Sequence, residues 1–210
     1  MRPTILRVAA AVACVAAAAF LVLLAVDARA WSSRVPADDL RFRDNPLAQG
    51  LWHPRELTPF RLDRAVLGLD DDLLYRRAMR AFRNGRPREQ LYSPDVTTRR
   101  IQAQIALEKF LETATDPERR SQAANLLGVL GFAAATNDVA QRITFLNNAI
   151  ASFRQAIALD PSNDDALFNL EYALGQLKET AEQQAGPQTR VGQHGAGGLR
   201  DTGHGYRCSF

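Results

Sequence analysis

Two apolar rhythms separated by four residues limit what this chain can fold into more than any other feature. Val139, Ile143, Leu146, Ile150, Phe153 and Ile157 recur at alternating intervals of four and three, the period of one helix face. Asp160-Pro161-Ser162-Asn163 interrupts, and Leu167, Leu170, Leu174, Leu177 and Ala181 resume the same period. Proline cannot continue the first helix, and a short polar residue ahead of an apolar run starts the next. The stretch therefore predicts two helices packed against each other rather than one long one.

Similar punctuation divides the chain upstream. Leu67, Leu74, Ala78, Ala81 and Phe82 share one helix face, with Asp70, Asp71 and Asp72 near its start and Gly85 as its stop. Ser93-Pro94-Asp95 and Thr115-Asp116-Pro117-Glu118 each combine a capping residue with a first-turn proline. The helix opened at Pro94 carries one stripe through Ala103, Ala106, Leu107, Phe110, Leu111 and Ala114, with Ile101 and Ile105 on the other side, so it is expected to have neighbours on both. The next is apolar nearly all round from Ala123 to Ala135 and should be the most buried. Within it, Gly128 and Gly131 let a neighbour approach closely. Asn137-Asp138 reads as the cap of the helix that follows. With no strand alternation of useful length, the class is all-α, about five helices paired antiparallel through short turns.

The N-terminus sets a different constraint. From Val8 to Val26 the chain has no charged or strongly polar side chain, roughly 28 Å of helix at about 1.5 Å per residue, close to the thickness of a bilayer core. Residues 5–26 read as a membrane-spanning signal anchor, with Trp31 at the interface. Ala28-Arg29-Ala30 has the small-x-small form of a cleavage site, so a removed secretory leader competes with that reading. The short head carrying Arg2 and Arg7 is expected in the cytoplasm and the body outside it.

The expected layout is an anchor over 1–30, a proline-rich extended linker over 31–62, a helical domain over 63–185 and a glycine-rich disordered tail over 186–210. Pro36, Pro46, Pro54 and Pro59 motivate the linker, although Trp52, Phe42 and Phe60 suggest that part of it packs. Among 210 residues, 46% are hydrophobic and 23% charged, enough for one ordinary core, and the net charge is only +3.

Ala149, Phe153, Ala156 and Pro161 resemble the second helix and closing proline of a tetratricopeptide repeat, and Ala166-Leu167-Phe168-Asn169-Leu170 resembles the first helix of the next. Ala123-Ala124-Asn125-Leu126-Leu127-Gly128 is similar to another first helix. The separation from Gly128 to Pro161 is about nine residues longer than a 34-residue period allows, which implies lengthened helices or a longer turn. With the N-terminal segment and Asn-Asp-Asp-Ala-x-x-Asn-Leu-Glu, the chain also resembles small membrane-associated tetratricopeptide proteins that accompany MoxR-type ATPases and von Willebrand factor A domain proteins in bacteria. The resemblance implies a scaffold in an envelope complex, in which Asn125 and Asn169 could face a groove and bond the backbone of a protein partner. The residues themselves leave equally open that each asparagine bonds to a neighbouring helix or loop.

Arg76, Arg80 and Arg83 line a helix face that could meet anionic lipid, an anionic polymer or an acidic partner segment, or could be a solvated surface. No aromatic side chains interleave with these charges, which argues against nucleic acid. The acidic clusters at Asp70 to Asp72 and Asn163 to Asp165 sit at helix starts, where carboxylates complement the helix dipole. His194, His204 and Cys208 lack a scaffold for a metal, and Cys14 and Cys208 form no recognisable framework. With no nucleophile elbow, phosphate loop or HExxH, the sequence predicts neither catalysis nor a cofactor.

Overall fold

The computed structural model describes residues 2–59, 62–85 and 94–184. Among them are seven helices and no strand: α1 (Arg2–Asp44), α2 (Leu62–Leu67), α3 (Leu69–Gly85), α4 (Pro94–Thr113), α5 (Pro117–Asn137), α6 (Arg142–Leu159) and α7 (Asp164–Gln184). The chain divides into two compact units, residues 1–74 and 75–210. The expected tail, and with it His194, His204 and Cys208, lies outside the described residues, as do Phe60 and Ser93.

In the first unit, α1 is one helix of 43 residues. Its apolar part is uncovered, with Val8, Val12, Val15, Leu21 and Val22 all exposed, and it is long and apolar enough to cross a bilayer. The expectation of extended chain over 31–62 is corrected for residues 31–44, which continue the helix through Pro36. Pro36 and Ser32, the residue whose carbonyl loses its usual donor, are both exposed, which lets water serve that carbonyl. The helix stops at Asp44 because Asn45 precedes Pro46, and a residue before proline is pushed out of helical geometry.

Carboxylates on α1 then fasten the returning strap, residues 45–59. Asp27 accepts hydrogen bonds from Leu57 N at 2.8 Å, from Thr58 N at 2.7 Å and from the Thr58 hydroxyl. Asp38, fully buried, accepts from Trp52 N at 2.7 Å and pairs with Arg34 and Arg41. Trp52 has φ +57°, a left-handed conformation that costs a bulky residue roughly 1–2 kcal/mol. It is held by that bond, by Nε1 donating to Asp39 at 2.8 Å, and by an edge-on contact with Phe42 at 5.4 Å between ring centroids.

Trp31, Leu51, Trp52 and Leu73 form the core of this unit, with Val35, Phe42, Ala48 and Leu69 against it. Trp31 is therefore not an interfacial residue as expected. It is 2% exposed, donates Nε1 to Asp63 at 2.8 Å and carries the Arg64 guanidinium over its ring. Gly68, at φ +64°, separates α2 from α3, so Leu67 does not share a helix with Phe82.

In the second unit α5 and α6 pack most extensively. A Cβ on Gly128 would lie 2.3 Å from the Phe153 ring, and one on Gly131 would touch Ala149 at 3.4 Å. Positions rising along α5 thus meet positions falling along α6, and the pair is antiparallel. α7 runs parallel to α5, since Ser121 bonds Asn163 and, one turn on, Asn125 bonds Asn169. Asp116 caps α5 through Glu118 N and Arg119 N.

Several expected packing faces shift. Val139 is exposed, and Asp138 bonds Ala140 N and Gln141 N to shape the turn, so the α6 seam begins at Ile143. Ile101 and Ile105 of α4 are exposed, so α4 is covered on only one side among the described residues. On α7 the buried positions are Ala166, Asn169, Ala173 and Thr180, while Leu167 and Leu174 remain exposed. Small residues let α7 sit close to its neighbours, and the leucines fall to the flank.

Three outcomes test this packing. Gly128→Ala is expected to destabilise by about 1–3 kcal/mol through overpacking, and Phe153→Ala by about 3–5 kcal/mol through cavity formation. In the Phe153→Ala background, Gly128→Ala should become neutral or stabilising in urea unfolding, because its clash has gone and alanine favours helix by up to about 1 kcal/mol.

Burial pushes the Asp27 carboxyl up, but the bonds from Thr58 and Leu57 outweigh it and hold it below the ordinary carboxylate value. A group depressed in the folded state contributes stability above its unfolded pKa and loses it as pH falls through the folded value. Trp31 and Trp52 are the only two tryptophans, so tryptophan emission reports this unit alone. The Asp27 contribution should be constant from about pH 7 to pH 5 and fade only below about pH 4, and Asp27→Asn should weaken the strap already at neutral pH, read as red-shifted emission.

Candidate functional site

The Asp160-Pro161-Ser162-Asn163 break forms one wall of an open cleft of about 710 Å³. The start of α5 supplies Pro117, Glu118, Gln122, Asn125 and Leu126, the end of α6 supplies Leu159, and the start of α7 supplies Asp164 and Asp165. The cleft exists because two parallel helices, α5 and α7, begin at the same end of the array with the α6–α7 turn between them.

Hydrogen bonds fix that turn. Asp160 accepts from Ser162 N at 3.0 Å and from the Ser162 hydroxyl at 2.7 Å. Asn163 caps α7 by accepting from Ala166 N at 3.0 Å, while its amide donates to the Ser121 hydroxyl at 2.8 Å. Ser121 in turn donates to the Ala156 carbonyl at 2.8 Å. One side chain from each of α5 and the turn thus ties three helices together.

Of the two readings open for Asn125 and Asn169, groove residue or bond to a neighbouring helix, the structure shows the second: both are buried, and Asn169 Nδ2 donates to Asn125 Oδ1 at 2.9 Å. Asn125 also borders the cleft, whereas Asn169 does not. A buried amide needs its partner, so the pair's first role is to align α5 with α7. Arg76, Arg80 and Arg83 are on α3, half-buried, each engaged within the protein, and none lines the cleft.

The cleft's charge comes from Glu118, Asp160, Asp164 and Asp165, with no lysine or arginine in its lining. Leu159, Pro117 and Pro161 add apolar surface, with the buried Leu126 behind them. Beside it, the Tyr75 phenol bonds Gln122 and lies under the Arg119 guanidinium at 5.3 Å. Burial pushes the Tyr75 hydroxyl up, so it stays protonated. Among the described residues no three His, Cys, Asp or Glu side chains gather as a metal site. The arrangement can accept hydrogen bonds and attract positive charge.

Asn163 to Asp165 read as a helix start from their sequence, which carries no sign of Glu118 and Gln122 as neighbours. Only the parallel alignment of α5 and α7 brings these residues together. No protein-family model, curated protein or solved structure matches the chain significantly.

Removing one amide of the buried pair should cost more than removing both. Asn169→Leu leaves the Asn125 carbonyl without its donor and is expected to destabilise by about 1–3 kcal/mol, whereas Asn125→Leu with Asn169→Leu should cost less than the sum of its single changes. Thermal unfolding of the four proteins of this cycle checks it; strict additivity would contradict the pairing.

Proposed function

We propose that this protein is a membrane-anchored helical scaffold that binds a protein partner in the cell envelope, without catalysis. Residues 5–26 act as the span, the head stays in the cytoplasm, and the body works outside it. The α5–α7 array reads as a short tetratricopeptide-like unit with lengthened helices: α5 and α6, at 21 and 18 residues, together already exceed a 34-residue repeat.

The observation that carries the reading is the cleft, concave, acidic and partly apolar, built on helix ends held by a bonded turn. Its chemistry suits an extended segment bearing lysine or arginine beside an apolar side chain. Exposed charges there would steer encounter, and Leu159, Pro117 and Pro161 would take the apolar contact. The resemblance to envelope proteins that accompany MoxR-type ATPases and von Willebrand factor A domain proteins points to a membrane-protein partner. Binding of anionic lipid or polymer by Arg76, Arg80 and Arg83 has less support, because those side chains are half-buried and engaged.

Charge reversal at the cleft tests the proposal. Glu118→Arg with Asp164→Arg should reduce co-purification of the membrane partner at least about tenfold, an affinity loss of about 1.4 kcal/mol. Reversal of Arg76, Arg80 and Arg83 should leave it unchanged. The opposite pattern would favour the arginine face.

A further inference from the structure

Ala28-Arg29-Ala30 has the form that a membrane-bound endopeptidase reads, and it lies one residue, Asp27, beyond the apolar run. In the folded chain this motif is helical, and residues on both sides of it are fastened to the returning chain. Asp27 takes three hydrogen bonds from Leu57 and Thr58. Trp31, on the far side of the Ala30–Trp31 bond, is buried and bonded to Asp63, with Arg64 over its ring. Arg64 is itself held by Glu56 of the strap, through Nε at 2.6 Å.

Peptidases take the residues around a scissile bond in extended form. Presenting Ala30–Trp31 therefore requires α1 to unwind there, Asp27 to release two backbone N–H groups and a hydroxyl, and Trp31 to leave the core. Each buried polar group so orphaned opposes that opening. Cleavage would also remove Asp27 from the body and leave those donors without their acceptor.

We propose that Ala30–Trp31 is a latent processing site, sealed when the strap through Leu57 and Thr58, together with Asp63 and Arg64, docks on α1. The reaction withheld is hydrolysis of that peptide bond by water under a membrane-bound endopeptidase, giving a carboxylate on Ala30 and a free amine on Trp31. Whether the body stays anchored or is released depends on which comes first, docking or cleavage. This rests on residues 5–26 being the membrane span.

The test loosens the seal without touching the segment the peptidase reads. Thr58→Pro with Asp63→Ala removes both Thr58 donors to Asp27, the backbone N–H and the hydroxyl, and the acceptor for Trp31, and leaves residues 1–44 unaltered. The full-length wild type, expressed in a bacterium and extracted from its membranes, should give an intact mass that includes residues 1–30. The double variant should yield, at least about tenfold above wild type, a species beginning at Trp31 in the soluble fraction. Adding Ala30→Leu to the variant should abolish that species, which separates specific processing from general degradation of a misfolded chain. A wild-type chain beginning at Trp31, or a double variant that proteolysis shows to be loosened yet remains uncut, would overturn the proposal. Wild type that keeps residues 1–30 but washes from membranes in carbonate would instead overturn the anchor itself.

Discussion

The close approach of α6 to α5 at Gly128 governs the second unit. The Phe153 ring occupies the space where any other residue would place its first side-chain carbon, so α6 sits against the α5 backbone rather than on a layer of side chains. That depth lets Ser121 on α5 reach the Ala156 carbonyl on α6 and brings the α6–α7 turn within bonding distance of α5. The acidic cleft is a consequence of this contact, since its walls are the ends of helices that the contact positions.

The first unit solves a different problem by similar means. A chain returning along a helix that has already satisfied its own backbone must find acceptors for its own N–H groups. Asp27 and Asp38 provide them, for Leu57, Thr58 and Trp52. Buried carboxylates are tolerable there because each is surrounded by donors. The left-handed backbone of Trp52 and the burial of Trp31 follow from the same fastening.

Helix class and most helix starts were legible, because prolines and caps are local signals: Pro94, Pro117 and Asp164 open helices in the structure. The α6 seam from Ile143 to Phe153 was legible for the same reason. Less legible was any outcome set by distant partners. Pro36 reads as a breaker, yet the helix continues through it while Asp38 and Asp27 tie down residues 14 and 31 positions away. Leu167 and Leu174 carry the stronger periodic signal on α7, but Ala166 and Ala173 are buried because a close helix contact selects small side chains over greasy ones. Asn125 and Asn169 stood out as polar residues in apolar helices. That they bond each other, and that Glu118 joins Asp160 and Asp164 across the cleft, depends on a parallel alignment that no single segment encodes.

Partner recognition at the cleft between the starts of α5 and α7 is the proposal on which the functional reading turns. Site-specific photo-crosslinking in native membranes tests it most directly, with the reactive group placed in turn at Gln122, Arg80 and Ile101 of the full-length chain. The account predicts a discrete protein adduct from position 122 that weakens with rising salt, and little or none from the other two. An adduct from position 80 or 101 with none from 122 would contradict it.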